Sequence, residues 1–264
     1  MRDRFTSTDL SPADLSPADL GKRAAAARAL EFVTEGMTLG LGSGSTAAWF
    51  VRLLSERISA EGLAISGVPT SSTTRWLAQE LGVPLKSLDD VQGRIDLTVD
   101  GADEFDADLE LIKGGGAALL HEKIVAAASE RMVVITDAGK RVERLGAFPL
   151  PVEVVRFGAA TTARRIAALL EQMDVDGREV LLRQTSGKPV VTDEGHYILD
   201  LRLGRIGNAP ALALGLSQIP GVVEHGLFIG LSDTVIVGHG DGSVEILERR
   251  DPVDVPELMR NEDA

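Results

Sequence analysis

From residue 37 to residue 136 the chain repeats one pattern, a short apolar run followed by a longer stretch with apolar residues at helical spacing. Residues 37–41 form such a run, and the segment after them carries Phe50, Leu53, Leu54 and Ile58 three or four places apart. That spacing lays the four along one face of a helix. Further strands are expected at residues 63–68, 84–88, 95–99 and 132–136, with helices near 73–81 and 117–128. Alternation of this kind predicts an α/β fold, a Rossmann-like open parallel sheet with helices on both faces. Such sheets take their ligands beyond the carboxyl ends of the strands.

Phe148-Pro149-Leu150-Pro151 interrupts the pattern and marks a boundary. Beyond it strands are expected at 152–155, 178–184, 190–192, 197–203 and 222–228, with helices at 161–173 and 210–218. That order approximates a smaller α+β domain of the ferredoxin-like, split βαβ type. Strands at 234–238 and 243–247, joined by an Asp241-Gly242 turn, are expected to rejoin the first sheet. Near the start LSPAD occurs twice, at 10–14 and 15–19. The second copy can begin a helix running to about residue 33, with Ser16 as N-cap and Pro17 at the first helical position. The expected division is a tail over 1–20, an α/β catalytic domain over 21–150, the ferredoxin-like domain over 151–228, return strands over 229–248 and a tail over 249–264.

Composition removes several classes of function. With no cysteine, disulfides, zinc–thiolate sites and thiol catalysis are excluded. A net charge of -13 argues against nucleic-acid or anionic-membrane partners, which need a basic footprint. No apolar run approaches membrane-spanning length and the first residues lack a signal-peptide core, so a cytoplasmic location is expected.

Two loops and one helix carry the candidate chemistry. Gly42-Ser43-Gly44-Ser45-Thr46 lies between a strand and a helix. It reads either as a phosphate cradle of exposed amides and hydroxyls or as a tight turn with a serine N-cap. It matches neither the P-loop nor the dinucleotide fingerprint. Asp100-Gly101-Ala102-Asp103-Glu104 follows the strand at 95–99, where Asp100 and Asp103 could hydrogen-bond sugar hydroxyls or help move protons. Glu104, Asp106 and Asp108 read as a solvated acidic turn. Carboxylate density alone admits a divalent metal, but His121, His196, His225 and His239 have no ligand spacing. Lysines are few, six against 21 arginines, and Lys22, Lys113 and Lys140 each adjoin a loop or helix start. An ammonium there suits a phosphate or a developing oxyanion. Lys113 leads into Gly114-Gly115-Gly116, a run that costs conformational entropy and suits close approach of backbone to a ligand. On the helix that follows, Glu122 stands among small and apolar residues. Burial there would raise its pKa towards a value useful to a general base. A salt bridge with Lys123 or Arg131 is the competing reading.

Together these residues resemble the ribose-5-phosphate isomerase family, type A. The likeness rests on GSGST from Gly42, DGADE from Asp100, KGGGAALLHEKIVA from Lys113 and TDAGK ending at Lys140. FPLPVEV from Phe148, VVTDEGHYILD from Val190 and IPGVVEHGLF from Ile219 extend it, in order, over nearly the whole chain. It implies Glu122 as the proton-transferring base, with Asp100, Asp103 and Lys113 at the reacting end. It implies Ser43, Gly44, Ser45, Thr46, Lys140 and Lys22 as substrate-binding, with Gly101, Ala102, Gly114, Gly115 and Gly116 around the substrate. No cofactor and no metal are implied, and the partner is a sugar phosphate on a homodimer or homotetramer. His121 stands where the family often has arginine. Two other readings suit such a fold, a coenzyme A transferase with a glutamate nucleophile and a sugar-phosphate sensor that binds DNA. The chain has no evident extra domain for the first and no basic segment for the second.

Overall fold

The computed structural model describes residues 15–249. In chain order the strands are Thr38–Leu41 (β1), Ser66–Pro69 (β2), Leu97–Asp100 (β3), Glu104–Phe105 (β4), Leu111–Ile112 (β5), Met132–Asp137 (β6), Leu150–Val154 (β7), Glu179–Leu182 (β8), Gln184–Thr185 (β9), Lys188–Pro189 (β10), Tyr197–Arg202 (β11), Val222–His225 (β12), Leu227–Phe228 (β13), Thr234–Gly238 (β14) and Val244–Glu248 (β15). The helices are Pro17–Leu30 (α1), Gly44–Glu61 (α2), Ser72–Glu80 (α3), Leu119–Ala127 (α4), Ala159–Leu170 (α5) and Ala209–Ser217 (α6).

The central sheet runs β15-β14-β6-β3-β1-β2, parallel except for the antiparallel edge strand β15. Its strands alternate faces as a period of two requires. Val133 and Ile135 of β6 join the core under α1, α2 and α3, whereas Met132 and Val134 join Phe105, Leu111, Ala126 and Phe228 on the other side. Helices therefore cover both faces, as the alternation predicts. Strand order reverses between β1 and β3, and the loops leaving their carboxyl ends are the two glycine-containing motifs.

A second sheet, β12-β7-β11-β8, is antiparallel throughout. With α5 and α6 as crossovers it has the ferredoxin-like order, fourth strand beside first, then third, then second. A third sheet, β13-β5-β4, is built from pairs of residues too short to leave a periodic signal.

Several expectations shift. Residues 17–20 are the first turn of α1 rather than tail, with Ser16 accepting the Asp19 N–H at 3.1 Å. The first LSPAD copy and residues 250–264 lie outside the described residues. Arg249, assigned to the tail, bonds Ser232 O and pairs with Glu110 at 3.1 Å. The strand expected at 84–88 is one bridge, Gly67 to Leu85, because Pro84 has no N–H for a ladder. That at 190–192 is likewise one bridge, Val191 to Tyr197. The strand at 222–228 breaks at Gly226 into β12 and β13 of different sheets. There the chain threads between Lys113 and Pro151, and a Cβ on Gly226 would lie 2.3 Å from Lys113 O.

Candidate active site

The carboxyl ends of β1, β3, β6 and β14 converge on a cavity of about 520 Å³. Every residue expected at the site lines it except Asp100, which is fully buried behind the wall. Asp100 Oδ1 accepts the Ser43 N–H at 2.9 Å and the Gly101 N–H at 2.7 Å, tying the β1 and β3 loops together. Gly42 permits that approach, since a Cβ there would meet Asp100 Oδ1 at 2.2 Å. Asp100 thus joins the two loops from behind the cavity wall, within 3.0 Å of the Lys113 ammonium.

Lys113 leaves β5 and enters from below. Its ammonium lies 3.0 Å from Asp100 Oδ2 and 3.4 Å from Glu122 Oε2, and donates to Gly101 O at 2.5 Å. Burial alone would lower the Lys113 pKa, but Asp100, Glu122 and Asp103 outweigh it, so the lysine is held above its ordinary value as a cation.

Glu122 comes from α4, one turn after the glycine run. Burial raises its carboxyl to about 8; Lys113 opposes the rise, while Asp100 and Asp103 add to it. Its Oε2 has no hydrogen-bond partner. The competing salt bridges are not made: Lys123 pairs with Glu224 at 2.7 Å, and Arg131 bonds the Thr234 hydroxyl and stacks on Phe32. The helix is less enclosed than its composition suggests, for Ile124 is 46% exposed. His121 pairs with Glu194 at 2.8 Å, away from the cavity wall.

The glycines of the run differ in what requires them. Gly114 has φ +102, a conformation few other residues adopt. A Cβ on Gly115 would strike the Asp103 carboxylate at 2.7 Å, and that carboxylate accepts the Gly115 N–H at 2.7 Å. Gly116 faces open space.

Opposite stands the GSGST loop. Ser43 occupies the N-cap of α2 but makes no capping bond; its hydroxyl pairs with Thr70 Oγ1 at 2.7 Å. The first amides of this 18-residue helix are therefore free of a side-chain cap and lie at the cavity. Of the two readings of the loop, the anion cradle fits this geometry. Lys140, on the turn after β6, and Lys22, on α1, add positive charge to the wall. Glu104 is not part of a solvated turn: it is buried and accepts the Gly146 N–H at 2.7 Å. Asp106 closes a local turn by accepting the Asp108 and Glu110 N–H groups, both at 3.0 Å.

Sequence reading missed His239 and Gly240 on the cavity wall. They follow β14, and the rule that placed the other loops would have found them. Among the described residues, no cluster of three or more His, Asp or Glu is arranged to hold a metal ion, and no helix is long and apolar enough to cross a membrane.

The family model for ribose 5-phosphate isomerase A (phosphoriboisomerase A) matches residues 66–242. A relative named ribose-5-phosphate isomerase A from Cereibacter sphaeroides is 61% identical over 235 residues, 89% of this chain and 94% of its own length. One of the same name from Roseobacter denitrificans is 56% identical over 96% of this chain and 94% of its own. Ribose 5-phosphate isomerase from Plasmodium falciparum aligns with a TM-score of 0.82 at 32% identity, over 88% of this chain and 99% of that one. A D-ribose-5-phosphate isomerase solved in complex with phospho-erythronic acid aligns with a TM-score of 0.81 at 39% identity, again over 88% and 99%.

Proposed function

The chain belongs to the ribose 5-phosphate isomerase A family, and we propose that it interconverts ribose 5-phosphate and ribulose 5-phosphate with Glu122 as the base that moves the proton. The reaction breaks a C–H bond beside the carbonyl, passes through an enediol and makes a C–H bond on the neighbouring carbon. One carboxylate can take that proton and return it. Meanwhile a hydroxyl proton must cross between the adjacent oxygens, a task for Asp103, whose carboxylate lines the cavity. Lys113 stabilises the enediolate oxygen, a contribution typically of about 3 kcal/mol for one well-placed donor. The phosphate sits at the α2 amides, Ser45, Thr46 and Lys140, with Lys22 nearby, and anchors the substrate remotely from the reacting carbons. Asp100 acts through Lys113 as a positioning residue.

One observation carries this reading: a buried carboxyl with a pKa near 8 at the wall of a cavity lined by backbone amides and lysines shares a single lysine with a second carboxylate. A carboxyl so placed is poised to exchange a proton near neutral pH. Glu122→Gln tests it. Turnover of ribose 5-phosphate should fall by about 10²–10⁴-fold; a variant within a few-fold of wild type would remove Glu122 from its role. The reaction belongs to the non-oxidative pentose phosphate branch, in the cytoplasm, on a homodimer or homotetramer.

A further inference from the structure

Arg183 follows β8, on the second sheet, yet its guanidinium reaches the glycine run. Nη1 donates to Gly114 O at 2.8 Å and to Gly115 O at 3.1 Å. The other side of the fork grips Asp200 of β11, with Nε donating to Oδ2 at 2.9 Å and Nη2 to Oδ1. The backbone of Arg183 is itself pinned, its N–H to Ile198 O at 2.8 Å and its carbonyl to Val190 N at 2.9 Å. Arg183 does not line the cavity, whereas Gly114, Gly115 and Gly116 do.

From this we infer that Arg183, oriented by Asp200, is a positioning residue for the isomerisation, because it fixes which way the peptides of the glycine run face. In a trans peptide the C=O and the following N–H point in opposite directions. Holding Gly114 O and Gly115 O outward turns the N–H groups of Gly115 and Gly116 inward. The first meets Asp103 Oδ2 at 2.7 Å and so orients that carboxylate. The second belongs to a residue that lines the same cavity as Lys113 and Glu122. Gly114, at φ +102, and its neighbours have no side chains to hold this conformation. Gly114 O also accepts the Ala117 N–H at 3.0 Å, so the clamp matters most for the Gly115–Gly116 peptide. Without the clamp that peptide can rotate and turn its carbonyl oxygen towards a developing oxyanion, which repels it.

The inference rests on the isomerase reading of the cavity, and turnover by the wild-type enzyme tests that reading separately. Arg183→Lys keeps a cation beside Asp200 but cannot span the carboxylate and two carbonyls together. In the intact protein it should lower kcat by about 10–100-fold, a fraction of the loss expected when an oxyanion donor is removed. KM for ribose 5-phosphate should change by less than about threefold, because the phosphate end is untouched. Affinity for phospho-erythronate should fall together with kcat/KM, while inhibition by inorganic phosphate stays constant. Asp200→Asn should show the same pattern, weakened. Arg202→Ala, which removes an exposed pair between β11 and Glu179 of β8, should show none of it. A folded Arg183→Lys enzyme with kcat within twofold of wild type would overturn the inference. So would failure of both Arg183→Lys and Asp200→Asn to fold, which would make the pair a stabilising device only.

Discussion

Replacing Asp100 with asparagine should move the pH dependence of the enzyme towards acid, by an amount the geometry sets. The amide keeps an oxygen for the Ser43 and Gly101 N–H groups, so the loops remain joined. What disappears is one negative charge. Lys113 Nζ lies 3.0 Å from Asp100 and 3.4 Å from Glu122, so the two carboxylate oxygens are at most about 6.4 Å apart. At an effective dielectric of about 20, unit charges at that separation repel by about 2.6 kcal/mol, or about two pH units of titration midpoint. Loss of Asp100 also gives Glu122 undivided use of Lys113, which acts in the same direction. Wild-type kcat/KM should rise about tenfold per pH unit below a midpoint near 8 and level off above it, since this ratio follows ionisation of the free enzyme. The midpoint belongs to the coupled carboxyl–lysine cluster rather than to one group. In Asp100→Asn it should lie one to two units lower by the same estimate. Measuring kcat/KM for ribose 5-phosphate from pH 6 to 10 in both enzymes decides it, and ionisation of the substrate phosphate, near pH 6, cancels in the comparison. A midpoint that stays put, or moves to higher pH, would refute the argument.

Glu122→Gln should leave a thermal trace as well as a kinetic one. The folded carboxyl titrates near 8 against an ordinary 4.5, so its contribution to stability falls as pH rises through that window. The Tm of the glutamine variant relative to wild type should therefore increase between pH 5 and pH 8, and a constant difference would contradict the buried, raised carboxyl. Lys140→Ala should raise KM for ribose 5-phosphate by about 10–100-fold, the usual range for a lost charged hydrogen bond, with a much smaller change in kcat. Gly42→Ala drives a methyl into Asp100 and should lower Tm by about 2–10 °C and abolish most activity. Gly116→Ala meets nothing within 4 Å and should keep its Tm; equal losses from the two alanines would show that space is not what requires Gly42.

Much of this site could be read in the sequence because its loops are chain-local. GSGST and DGADE each follow an apolar strand, and a parallel sheet delivers all such strand ends to one edge. Glu122 stood out as a carboxylate among small and apolar residues, but its partner did not: Lys113, nine positions earlier, reaches it rather than Lys123 or Arg131. What stayed hidden depends on distant chain. β4, β5 and β13 are pairs of residues whose partners are set by tertiary contact, and Arg183 reaches Gly114 and Gly115 across some seventy positions. The burial of Asp100 was hidden for the same reason, because it follows from the Gly42 backbone packing against it. Glu104 misled through its acidic neighbours, although its partners, the amides of Gly146 and Phe148, lie some forty residues on.

The distribution of charge around Lys113 accounts for the choice of Glu122, rather than Asp100, as the proposed base. A buried acid paired one-to-one with a lysine stays ionised and inert, since the ion pair favours the charged form. Here a single ammonium faces two carboxylates, and it lies nearer Asp100, at 3.0 Å against 3.4 Å. Asp100 also collects two backbone N–H groups, both on Oδ1, while its Oδ2 and Glu122 Oε2 have no hydrogen-bond partner. Glu122 is left incompletely neutralised, so the cost of burial falls on its charged form. The buried Phe228 ring lies beneath both lysines, with the ammonium groups of Lys113 and Lys123 at 5.5 Å and 4.9 Å from its centre, and adds no competing acceptor. Proton affinity at Glu122 is thus set by its burial and by Lys113, Asp100 and Asp103 together, and its tuning is inseparable from the folding of β3, β5 and α4 around one lysine.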